Sequence, residues 1–103
     1  MLMKTLNLTL SIKGNNIETI ENICNGLSNS ERLKSLLLFG DVDHLPLDAF
    51  HEKAKKFNIY QNVETSYRNL EILVSSGLLV KTYDINIKKI VYGLDKSIIN
   101  VIK

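Results

Sequence analysis

The sequence predicts a single α+β domain, mainly helical, on three observations. The first residues alternate apolar and polar with a period of two. The middle carries successive apolar stripes at helical spacing. After Gly77 the composition turns to branched and aromatic residues. A period of two marks a strand with one buried face, and recurrence at three and four residues marks an amphipathic helix.

Leu6, Leu8, Leu10 and Ile12 alternate with Thr5, Asn7, Thr9 and Ser11, which makes residues 1–13 a strand extension. Lys13-Gly14-Asn15-Asn16 turns the chain. Ile17, Ile20, Ile23, Cys24 and Leu27 then form a short helix, with Cys24 a buried free thiol in its stripe. Ser28-Asn29-Ser30-Glu31 has the spacing of a capping box, so a second helix begins there, carries Leu33, Leu36, Leu37 and Phe39, and ends at Gly40 in a left-handed cap.

The only proline, Pro46, lies in a loop or short extended link that leads to Asp48 as N-cap of a third helix. That helix sets Leu47, Phe50, Ala54 and Phe57 against Lys53, Lys55 and Lys56, and Asn58 stops it. A fourth stripe, Val63, Ser66, Leu70, Leu73 and Val74, runs to Gly77, so a helix is expected over residues 61–76. LLVKTYDI and KKIVYGL flank Asn86 as a hairpin, with Tyr92 facing the core. Residues 96–103 are an apolar tail suited to packing, against a second subunit among other partners.

At 103 residues the chain is one domain in size. The alternating N-terminus lacks the continuous apolar run of a secretory signal, and no segment approaches a membrane span, so a cytoplasmic protein is expected. One cysteine cannot form an internal disulfide. No Gly-rich phosphate loop, nucleophile elbow or zinc-protease helix is present, which argues against an enzyme, and nothing calls for a cofactor. A net charge of +2 does not by itself announce a nucleic-acid binder, but the bases outnumber the acids beyond Leu47, so an anionic partner would dock on the second half.

Helix, short extended link, helix, tight turn, helix, hairpin is the order of a winged helix-turn-helix, in which one helix enters a DNA major groove about 12 Å wide and another braces it. Over residues 27–94 the chain resembles the arsenic-repressor-type (ArsR-type) transcription regulators. LSNSERLKSLLL is similar to the opening of that family's first core helix, SYRNLEILVSSGLLVK to its recognition helix and first wing strand, and KKIVYGL to the returning strand. The winged-helix core is thus residues 28–95.

The resemblance implies a homodimer that binds specific double-stranded DNA and regulates transcription, as a repressor in the leading reading. The recognition helix would present Glu64, Thr65 and Arg68 to the groove, with Gln61, Asn62 and Tyr67 flanking its start. Arg68 suits guanine O6 and N7, and Asn62 or Gln61 suits adenine or a phosphate. Lys88 and Lys89, in a wing tip over residues 86–89, would meet the backbone or minor groove, and Lys55 and Lys56 would touch phosphates from the bracing helix. For Arg68, Lys88 or Lys89 taken singly a solvated surface charge is as good a reading, and Tyr67 is more commonly a core or rim aromatic; as a group the charged residues point to DNA.

Members of the family can sense metals, which makes His44, Asp48 and His51, with Asp41 and Asp43, worth weighing as ligands. LPLDAFHEK stands where the family's paired cysteines would be, so no metal site is expected. The family usually opens with a helix, whereas this chain opens with a strand. An unpaired strand edge invites aggregation, so it either joins the wing sheet or pairs with its symmetry mate, which together with the first helix and the tail would build the dimer. The alternatives to an operator-binding regulator are a winged-helix protein-interaction module and a sequence-tolerant architectural DNA-binding protein.

Overall fold

The computed structural model describes residues 7–10, 17–40 and 42–102. The turn expected over residues 13–16 and the candidate ligand Asp41 lie outside the described residues. Among the described residues the elements follow in the order β1 (Asn7–Leu10), α1 (Ile17–Leu27), α2 (Ser30–Leu37), β2 (Leu45–Pro46), α3 (Leu47–Lys56), α4 (Val63–Ser75), β3 (Leu79–Asp84), β4 (Lys89–Leu94) and β5 (Ile99–Ile102). β2, β4 and β3 form a three-stranded antiparallel sheet, and β1 pairs with β5 in a separate antiparallel ribbon.

The core lies where α2, α3, α4 and the sheet converge. Leu36, Phe50, Ala54, Leu70, Leu73 and Leu78 are wholly buried there, beside Ile23 and Ile99. Phe50 is its centre: its ring stacks on Phe39 at 5.6 Å and tilts against Tyr60 at 6.5 Å. Tyr60 keeps its hydroxyl satisfied inside the core by bonding Ser35 at 3.0 Å, so the buried polar pair costs little.

Two helix ends are closed in the same way. After α3, Asn58 adopts φ 58° and Ile59 N–H donates to Ala54; after α4, Gly77 adopts φ 84° and Leu78 N–H donates to Leu73. These are Schellman caps, in which a left-handed residue turns the chain and the next apolar side chain folds back onto the helix. Asn tolerates that conformation and Gly adopts it without steric cost, so both stops are written in the sequence.

Arg32 ties three helices together. Its guanidinium donates to the carbonyls of Gly26 and Asn25 at the end of α1, where the helix dipole is negative, and to Asn69 Oδ1 on α4. On the same side, a Cβ on Gly26 would stand 2.7 Å from the Ser76 side chain, so α1 crosses the end of α4 at a distance that only glycine allows.

Several local expectations are corrected. Cys24 is exposed, because α1 turns Ile23 and Gly26 inward and Cys24 lies about 100° away around the helix. The cap of α2 is Asn29, whose Oδ1 accepts from Arg32 N at 2.9 Å, while Ser28 bonds back to Asn25 O; the capping-box spacing starting at Ser28 is one residue early. α2 stops at Leu37 through a right-handed Leu38 rather than a left-handed Gly40. Pro46 precedes α3 as its N-cap, so Asp48 sits in the first turn and is not the cap.

The N-terminal strand takes neither place expected of it. β1 pairs with β5, Asn7 opposite Ile102 and Leu10 opposite Ile99, so strand extension and apolar tail satisfy each other within one chain. The wing also gains a strand. β2 adds to the β3–β4 hairpin, Leu45 facing Tyr92 and Pro46 facing Val91.

Candidate nucleic-acid interface

The uncovered face of α4 follows from helical geometry. Ser66, Leu70 and Leu73 are buried on one side, which turns Glu64, Arg68 and Ser75 to the other, with Thr65 and Tyr67 at its margins. Glu64, Tyr67 and Arg68 are exposed and Thr65 is half-buried. Among the described residues the Arg68 guanidinium has no hydrogen-bond or ion-pair partner, so its five donors remain available to a ligand.

α4 is held in this pose by α3. His51 Nδ1 and Ser66 Oγ are 2.7 Å apart, bridging the two helices where Ser66 is buried. This contact gives His51 a structural use, and His44 is likewise engaged, its Nε2 lying 3.2 Å from Asp84 Oδ2. Among the described residues no three His, Cys, Asp or Glu side chains converge as a metal site would need.

Gln61 and Asn62 precede α4 rather than belonging to it. Gln61 is exposed, but Asn62 is the N-cap: its Oδ1 accepts from both Thr65 N and Thr65 Oγ1 at 2.9 Å. Of the adenine or phosphate contact expected of Asn62, the adenine contact would compete with the cap for this oxygen, whereas a phosphate contact needs only the side-chain amide N–H groups. Thr65 has its hydroxyl hydrogen committed to the same cap.

The wing lies beside the first half of α4. Its turn spans Ile85 to Lys88, and Asp84 Oδ1 accepts from Asn86 N to fold it. Lys88 takes φ 55° at the end of that turn, exposed and without a carboxylate partner among the described residues. Lys89 differs from expectation: it is the first residue of β4, and its Nζ bonds Asp48 Oδ2 at 2.7 Å. That ammonium holds the Asp48 carboxyl below its ordinary value, helped by Ala49 N–H. Lys55 and Lys56 are exposed on the side of α3 opposite Phe50 and Ala54, and Lys56 Nζ lies over the Phe57 ring at 5.8 Å.

A charged cluster unmarked in the sequence joins α4 to the wing. Glu71 Oε2 accepts from Tyr92 Oη at 2.6 Å and from Lys81 Nζ at 2.8 Å. Tyr92 and Lys81 are directly opposite in the β3–β4 register, so the hairpin presents both to one carboxylate. Above it, Tyr67, Leu47, Pro46 and Ile90 line an open groove of about 450 Å³ between α3, α4 and the wing. No sequence signal identifies Glu71, because the pairing that opposes Lys81 to Tyr92 depends on the turn.

Titration should expose this cluster. Burial raises the Glu71 carboxyl, but the bonds from Lys81 and Tyr92 outweigh it and hold the group below its ordinary 4.5. A depressed carboxyl contributes stability that is complete above pH 4.5 and lost as pH falls through the folded value. Burial, then the bond to Glu71, raises Tyr92 above its ordinary 10.0, a contribution present below that pH and lost in alkali. The thermal midpoint is therefore expected to fall on both flanks. Glu71→Gln should flatten the acid flank, and Tyr92→Phe should cost about 1 kcal/mol at neutral pH. An acid flank unchanged in Glu71→Gln would remove the cluster from the linkage.

No model of a known family matches the chain, and no curated protein matches it. Solved structures do. One is the solution NMR structure of the homodimeric winged helix-turn-helix DNA-binding domain, residues 1–100, of a possible ArsR-family transcriptional regulator from Mycobacterium bovis. It is 20% identical with a TM-score of 0.63, over 76% of this chain and 65% of that one. This chain thus spans slightly less than two thirds of that domain's length. Another is the crystal structure of residues 1–100 of a possible transcriptional regulatory protein from Mycobacterium bovis, 22% identical with a TM-score of 0.61 over 80% of each chain. The fold is a winged helix-turn-helix.

Proposed function

We propose that this chain is a cytoplasmic transcription regulator, a repressor, that binds specific duplex DNA as a homodimer, with α4 in the major groove and the wing against the backbone or minor groove. The observation that carries the reading is Arg68, exposed on the uncovered face of α4 with no partner among the described residues, next to a wing whose turn ends in Lys88, which has no carboxylate partner among those residues. Gln61, Glu64, Thr65 and Tyr67 surround Arg68 as further groove contacts, and Lys55, Lys56 and Lys89 supply phosphate contacts. Glu64 serves by orienting Arg68 or by accepting from a cytosine amine.

The solved neighbour described as a homodimeric DNA-binding domain supports this assignment, and no helix among the described residues is long and apolar enough to cross a membrane. The second copy is proposed to pack on the outer face of α1, where Ile17 and Cys24 are exposed, so that two α4 helices about 34 Å apart read successive turns of a palindrome.

Duplexes selected from a random pool by the full chain provide the test. Arg68→Ala is expected to relax one base position by about 1–3 kcal/mol, whereas Lys88→Ala should weaken all sequences alike and reduce the salt dependence. Unchanged discrimination in Arg68→Ala would take that residue out of the readout. A second reading, a protein-docking module, is favoured by the modest net charge of +2. Failure to bind any duplex at low salt would select it, and equal affinity for selected and random duplexes would leave an architectural protein.

A further inference from the structure

The wing tip is apolar where a purely phosphate-touching tip would be polar. Ile85 is 75% exposed and Ile87 47%, and both stand in the turn itself. Tyr83 and Ile90, opposite each other at the end of the hairpin, are exposed directly behind them. Isolated exposed apolar residues are ordinary, but several at the apex of one projecting hairpin form a surface that water solvates poorly.

Charge and size select the occupant. The acid nearest the turn, Asp84, is held inward by His44 and by Asn86 N–H, while Lys88 remains outward and without a carboxylate partner among the described residues. The apex therefore offers two apolar tips beside a cation, which suits a polyanion with an apolar interior. A stable protein interface needs about 800 Å² from each partner, far more than this turn supplies. The minor groove, about 6 Å wide, admits single side chains, and isoleucine is among the wedges that unstack base steps there. The tip also lies on the correct side: the groove between α4 and the wing is lined by Tyr67 from the first half of α4 and by Lys89 and Ile90 from the tip end of β4.

We propose that the wing tip is a minor-groove wedge, in which Ile85 and Ile87 enter a base step and bend the duplex while Lys88 meets the flanking phosphate. The inference rests on the reading of α4 and the wing as a duplex-binding surface, and adds to it that the protein reshapes the DNA it binds. Sequence selection would then extend to the flexibility of a step that no polar group touches.

The test uses the full chain and a duplex of about 30 base pairs with a central TA step, easily unstacked, labelled at its ends with a donor and an acceptor dye. Binding is followed by fluorescence anisotropy and bending by energy transfer on the same sample. The native chain is expected to bind and to raise the transfer. The double variant Ile85→Ser/Ile87→Ser should still bind, with affinity reduced by less than about tenfold, yet lose most of the transfer gain; Ile85→Leu/Ile87→Leu should retain it. Both pairs are exposed, so circular dichroism should show native folding in each.

Binding by the native chain without a transfer gain, or a full gain in the serine variant, would overturn the wedge and leave the duplex-binding reading standing. No binding at low salt would overturn both. A serine variant that bends DNA normally but changes its sedimentation without DNA would assign the tip to a protein contact and overturn the wedge.

Discussion

Phe50→Ala is expected to lower the unfolding free energy by about 3–5 kcal/mol. Phe50 is wholly buried and touches aromatic rings from two other parts of the chain: Phe39, just after α2, and Tyr60, in the turn before α4. Truncation removes the transfer energy of the ring and leaves a cavity walled by α3 and α4, each closed at its C-terminal end by a Schellman cap, so the walls resist collapse into it. Domains of this size are stable by only about 5–15 kcal/mol, so the loss is a large fraction of the whole. Urea unfolding should show a lower midpoint with an unchanged slope. The comparison is Phe57→Ala, one turn after Ala54 but exposed, which should cost less than about 1 kcal/mol. Equal losses in the two variants would contradict the packing described.

Gly93→Ala should be the other severe change, at about 2–3 kcal/mol. A Cβ on Gly93 would stand 2.5 Å from the carbonyl oxygen of Asp43, which is backbone and cannot rotate away as a side chain does. Relief requires the segment before β2 to move off β4, where Leu45 faces Tyr92 and Pro46 faces Val91. Because Pro46 is also the N-cap of α3, the displacement would tilt the helix that braces α4. The variant should therefore lose the proposed duplex binding by more than its fraction unfolded accounts for, as judged by anisotropy at a temperature where circular dichroism shows it folded. Native binding and native stability together would show that the two strands can separate freely.

The order of elements was legible because it depends on local signals. Asn58 and Gly77 stop helices through their own backbone preferences, and Leu70 and Leu73 mark the buried side of α4 through periodicity alone. Tyr92 was expected in the core and lies there. What could not be read needed a partner distant in sequence. Asn62 looks uncommitted until α4 begins at the next residue and engages its oxygen as the cap, and Lys89 looks unpaired until Asp48 is found beside it. Cys24 was misassigned by a single helical step, since Cys24 and its buried neighbour Ile23 satisfy the same apolar count. At the candidate interface, Arg68 and Lys88 are exposed, whereas the Glu71 cluster depends on hairpin register and left no mark in the sequence.

The ribbon of β1 and β5 has a kinetic consequence. Asn7 and Ile102 lie nearly the whole chain apart in sequence, so the entropy of closing that loop falls on one short ladder. The helices and the hairpin close over far shorter spans and can form before it. The ribbon is thus expected to zip last on folding and to open first under native conditions. In hydrogen exchange, its amides should report local opening while those of α4 report the global event.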